Sequence, residues 1–121
     1  MINFNVMPCI YWSDVTKISY LQRMIIIWSI MYYELNESCV PDKFFDSVAY
    51  QLVELQNKVS KDDFEKTEYY YAMLDFDAST GFDIPSRLTK KDRDYLTHLA
   101  KVFLFKCKTK NAKNEGRKYK W

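Results

Sequence analysis

The sequence predicts an all-α fold, three or four helices around an antiparallel helix pair with an extended N-terminal arm, and three observations lead there. Gly81 and Gly116 are the only glycines and Pro8, Pro41 and Pro85 the only prolines in 121 residues. That is too little punctuation for the many tight turns of a sheet-rich fold. Apolar residues recur at three- and four-residue steps over long windows, the period of a helix buried on one side. The length suits one domain rather than two. Residues 1–110 are read as that domain, with 1–13 as its arm and 111–121 as a basic flexible tail.

Residues 1–12 alternate imperfectly through Ile2, Phe4, Val6, Ile10 and Trp12, which suits a short strand or an extended arm packed on the body. Ser13 or Asp14 supplies an N-cap, and Ile18, Leu21, Ile25, Trp28, Tyr32 and Leu35 then mark a helix over 14–35. Residues 36–41 gather Asn, Ser and Pro into a turn, short enough to make the flanking helices antiparallel neighbours. Asp42 can cap the second helix, whose buried stripe is Phe45, Val48, Ala49, Leu52, Leu55 and Val59. Ser60-Lys61-Asp62-Asp63 resembles a capping box with Asp in place of Glu. Phe64, Tyr71 and Leu74 fit a third helix beyond it, although Tyr69-Tyr70-Tyr71 would also suit a strand. Ser79, Thr80, Gly81 and Pro85 make 75–88 a structured loop. Thr89 opens the last helix, with Tyr95 or Leu96, Leu99, Val102 and Phe103 on its apolar face. From Cys107 onward no periodicity remains, and a frayed basic tail is expected.

Composition narrows the function classes. A hydrophobic content of 48% with 28% charged residues is globular, and ten tyrosines are many for this length, which suits interfaces. Scarce glycine excludes a Walker loop, a dinucleotide-binding fingerprint and a nucleophile elbow, each of which needs Gly where backbone bends sharply or approaches a ligand. Cys9, Cys39 and Cys107 are odd in number and widely spaced, so they read as thiols in a reducing compartment. The first ten residues lack a basic n-region, and the longest apolar run, 24–31, is too short to span a bilayer. A cytoplasmic setting without a membrane partner is expected. Residues 1–89 carry 7 Lys and Arg against 13 Asp and Glu, a net of −6, whereas residues 90–121 carry 11 against 3, a net of +8. The body is acidic and the end basic.

The richest segment is 32–55, with Tyr32-Tyr33 closing one helix and Asp42, Phe45 and Asp46 opening the next. The i, i+4 spacing puts both carboxylates on one helix face, with the tyrosines arriving from the preceding helix. Such a corner can form a small pocket. Two acids suit hydroxyl and amide donors or a positively charged ring, and an aromatic face favours the same cation.

Residues 18–56, with the tyrosine pair, the short turn, Asp42-x-x-Phe45-Asp46 and the following Gln51-Leu52-Val53-Glu54-Leu55, resemble the small N-terminal Ia domain of bacterial NAD-dependent DNA ligases. The resemblance implies a pocket for the nicotinamide mononucleotide half of NAD. Tyr32, Asp42 and Asp46 match its motif, Tyr33 falls where Tyr or His stands, and Phe45 replaces a tyrosine, losing one hydroxyl. Trp28 stands where a polar residue or His is usual and would extend the aromatic wall. No Lys-x-Asp-Gly nucleophile is present, so no catalysis is expected. With the loop over 75–83, the chain looks like ligase-related proteins carried by bacteriophages of Gram-positive hosts.

Other signals are weaker. Asp75, Asp77, Ser79 and Asp83 have the first, third, fifth and ninth spacing of an EF-hand loop. Gly81 comes one place late and Ser86 stands where a bidentate Glu belongs, so no metal is expected. His98, the only histidine, has no nucleophile motif near it. Tyr69, Tyr70 and Tyr71 cannot all point into a core, and Tyr69, Tyr70, Asp75, Asp77 and Asp83 form a candidate partner surface. The basic end, Lys106, Lys108, Lys110, Lys113, Arg117, Lys118 and Lys120 with Tyr119 and Trp121 interleaved, could meet nucleic-acid phosphates or serve only as a solubilising tail.

Two functions therefore compete. The first is a non-catalytic module, requiring no cofactor, that binds NMN or NAD through Trp28, Tyr32, Tyr33, Asp42, Phe45 and Asp46. The alternative is a phage-encoded inhibitor, anti-CRISPR or otherwise anti-defence, that blocks a host protein with an acidic, tyrosine-rich surface.

Overall fold

Ser13 starts the first helix: its side chain accepts a hydrogen bond from the Thr16 backbone N–H at 3.2 Å, and Asp14 sits in the first turn where the helix dipole favours a negative charge. The structure, a computed structural model, describes residues 12–78 and 83–115, with side chains through residue 107. The described residues form a small all-α domain with five helices among them: α1 Asp14–Tyr33, α2 Asp42–Lys58, α3 Lys61–Phe64, α4 Ile84–Arg87 and α5 Lys90–Glu115, with a 3₁₀ turn at Tyr70–Ala72. No strand occurs among the described residues. The predicted N-terminal arm lies almost wholly outside them.

The core is built around α1. Every residue from Ile25 to Met31 is buried, so this stretch of the helix is covered on all sides rather than along one stripe. Three consecutive isoleucines lower intrinsic helix propensity, and the packing of α2, α4 and α5 against α1 outweighs that. Ser29, inside this apolar run, is satisfied locally by donating to the Ile25 carbonyl at 2.8 Å. From α2 come Val48, Ala49 and Leu52; from α5 come Leu96, Ala100 and Leu104.

Several expectations are corrected. α1 stops at Tyr33, short of Leu35, because Asn36 adopts φ +56° and the chain folds back until the Glu37 N–H reaches the Met31 carbonyl at 2.9 Å. Asparagine tolerates this left-handed geometry better than most residues. Asp42 is not the cap of α2: Pro41 holds that position with no side-chain bond, and Asp42 is the first helical residue. Ser60 does cap α3, accepting from the Asp63 N–H at 3.1 Å.

The third helix, however, ends at Phe64. Beyond it, the Glu68 and Tyr69 N–H groups donate to Ser19 Oγ at 3.0 Å and Gln22 Oε1 at 2.9 Å on α1, instead of to carbonyls four residues back. Side chains of α1 thus take the donors that a longer helix would need. At the other end, α5 runs to Glu115, well past Cys107. Lys and Ala are good helix formers that need no apolar stripe.

Candidate functional site

The turn over 34–41 places the end of α1 beside the start of α2. Trp28, one helical turn before Tyr32, is 5% exposed and forms the floor between the helices, with Phe44 edge-on at 5.8 Å and Phe45 tilted at 6.3 Å between ring centroids. Tyr32 and Tyr33 leave the core at the end of α1, 51% and 41% exposed, with their rings 4.8 Å apart. The α1 stripe expected to bury Tyr32 ends one residue earlier, at Met31.

These side chains enclose a half-open hollow of about 240 Å³. Trp28, Tyr32, Tyr33, Asp42, Phe45 and Asp46 line it, together with Ser38 and Val40. Ser38 shapes the rim: its hydroxyl donates to the Val40 carbonyl at 2.9 Å and accepts from the Val40 N–H at 3.3 Å. Nothing in the apolar periodicity distinguished Ser38 and Val40, since both belong to the turn. Tyr50, 62% exposed, lies one turn beyond Asp46 on the same ridge of α2, and Glu54 follows one turn later, also exposed. Asp42, Asp46, Tyr50 and Glu54 recur every four residues. That signal was present in the sequence, off the buried stripe.

The second candidate surface is placed differently. Tyr69 is 3% exposed, and burial, aided by the nearby Glu68 charge, pushes its hydroxyl up to about 12. Tyr70 is half-buried, edge-on to Phe64 and Tyr71 at 6.2 Å from each. Tyr71 donates to the Asp92 carboxylate and accepts from the Thr89 N–H, fixing the 3₁₀ turn to the start of α5. Asp75, Asp77 and Asp83 are exposed, and Asp83 pairs with Arg87 at 2.8 Å within α4 and its preceding turn. Ser79 and Gly81 of the loop lie outside the described residues, as do Tyr119 and Trp121 of the basic end. Neither Cys39 nor Cys107 forms a disulfide. No helix among the described residues is long and apolar enough to cross a membrane.

The resemblance to the ligase Ia domain is not sustained, and the nicotinamide-nucleotide reading goes with it. At about 240 Å³ and half open, the hollow lies below the roughly 300–1,000 Å³ of small-molecule sites. Trp28 and Phe45 lie against one another rather than standing free to sandwich a ring. The described residues supply no strand-to-helix turn or sheet edge of the kind that holds a dinucleotide. No protein-family model matches the chain, and neither a curated protein nor a solved structure is similar to it. The NMN or NAD ligand and the ligase-related, phage identity inferred from that likeness are therefore withdrawn.

Proposed function

We propose that this chain is a non-catalytic, cofactor-independent docking module that binds a protein through the acidic, tyrosine-bearing face formed by the end of α1 and the outer side of α2. The observation that carries this reading is the exposure of Tyr32, Tyr33 and Tyr50, at 51%, 41% and 62%, among Asp42, Asp46 and Glu54. Exposed tyrosines of this size are rigid contact area that loses little conformational entropy on binding. Carboxylates around them favour a partner with a basic surface, such as proteins that bind nucleic acid present. The scaffold suits the role. Contacts that run from Trp28 with Phe44 to Gln22 with Gln56 support α1 and α2 as an antiparallel pair, which gives the face a rigid base.

Affinity purification from the source cell with the wild-type chain and a Tyr32→Ser/Tyr33→Ser/Tyr50→Ser variant tests the reading. A stoichiometric protein held by the wild type and lost by the variant is expected. A partner retained equally by the variant, or no stoichiometric partner at moderate salt, overturns it.

A further inference from the structure

We infer that the hollow between α1 and α2 is a socket for a single arginine side chain of the docked protein. The inference rests on the docking reading and specifies how it is achieved. Three features point to a guanidinium.

The first is charge left without a partner. Glu34, Asp63, Glu68, Asp83 and Asp94 each have a basic side chain within 3.5 Å, whereas Asp42 and Asp46, both facing the hollow, have no hydrogen-bond or ion-pair partner among the described residues. No basic residue lines the hollow. Two like charges thus face one hollow, four residues apart on one helix face, a repulsion that a cation between them would relieve.

The second feature is the wall. Tyr32 and Tyr33 stand at the rim and Trp28 and Phe45 line the depth, so a cation entering the hollow meets aromatic rings as well as carboxylates, the exposed tyrosines at the mouth above all. A guanidinium stacks on such rings with its plane while its edge donates to a carboxylate in a fork. It is also more weakly hydrated than an ammonium, so it loses less on entering. Lysine, a compact and strongly hydrated charge, uses the aromatic wall less well.

The third is size. About 240 Å³ is too small for a nucleotide but holds one long side chain, and its open mouth lets the backbone that carries that side chain stay outside. Tyr50 and Glu54, further along the α2 ridge, then remain available to the surface around the arginine. An anchor seated in a pocket and ringed by weaker contacts is the usual energetic layout of a protein interface.

N-acetyl-arginine amide, N-acetyl-lysine amide and N-acetyl-citrulline amide, titrated into the isotope-labelled full chain and followed by NMR, test the inference. Arginine is expected to shift the Trp28 indole N–H and the Tyr32, Tyr33 and Asp46 amides saturably. Citrulline, equal in shape and uncharged, is expected to bind at least about tenfold more weakly, the loss of one charge-assisted hydrogen bond. Asp42→Asn/Asp46→Asn should weaken arginine by a similar factor, with resonances elsewhere unmoved as the check on folding. Tyr32→Ser/Tyr33→Ser serves the same purpose should the first variant not fold. No saturable shift, equal binding of citrulline, tighter binding of lysine, or unchanged binding by the variants would each overturn it. If purification recovers a partner that the Asp42→Asn/Asp46→Asn variant still holds and the triple tyrosine variant loses, the socket fails while the docking face stands.

Discussion

Gln22 shows how one polar residue inside an apolar helix can organise the chain around it. Fully buried, it donates to Gln56 Oε1 at 3.1 Å and Thr67 Oγ1 at 2.9 Å and accepts from the Tyr69 N–H, so its amide joins α1, α2 and the segment after α3. Replacing it by Leu keeps the volume and strands the Tyr69 N–H. Gln22→Leu should lower stability by about 1–3 kcal/mol, the cost of one unpaired buried donor, measurable as a lower urea midpoint. Tyr69 adds a pH dependence. Its hydroxyl is raised from 10.0 to about 12 in the folded chain, so the folded state holds that proton more tightly than the unfolded state does. Its contribution is fully present below pH 10 and declines as pH rises through about 12. Tyr69→Phe should therefore flatten the alkaline part of a plot of melting temperature against pH.

Helix boundaries follow whichever partner takes the end groups. Ser13 caps α1 and Thr89 caps α5, where its hydroxyl accepts from the Asp92 N–H at 3.2 Å; both use local side-chain chemistry that the sequence announces. Since α1 carries the core, Ser13→Ala should cost about 1 kcal/mol of global stability. Ser60→Ala, which uncaps the four-residue α3 with no buried residue, should change the urea midpoint far less while increasing amide exchange locally. Equal losses in the two variants would contradict this division. The failure of the long third helix has the opposite origin. Its residues have adequate local pattern, but Ser19 and Gln22 lie 49 and 47 residues away from the donors they capture, beyond any local window.

The acidic body and basic end give the whole molecule an uneven field, net −6 over residues 1–89 against +8 over 90–121. Docking driven by the acidic face should weaken as salt rises: because the Debye length shrinks from about 10 Å at 0.1 M to about 3 Å at 1 M, partner retention should fall across that range. Retention that is flat in salt would point to tyrosine burial alone. Sequence by itself determined the helical class, the three long helices and two of their Ser/Thr caps, because periodicity and capping act within a turn or two of chain. It also grouped Tyr32, Tyr33, Asp42 and Asp46, four of the eight residues around the hollow, since i, i+4 spacing and a short turn constrain neighbours. Only tertiary structure decided that residues 25–31 of α1 are covered on every side, that Tyr32 and Tyr33 emerge while Tyr69 is buried, and that the helix after Ser60 ends within one turn. It also set the hollow's size, too small for the ligand the motif suggested. Burial and hydrogen-bond partners at these places come from segments tens of residues apart, and no local pattern encodes which distant side chain arrives.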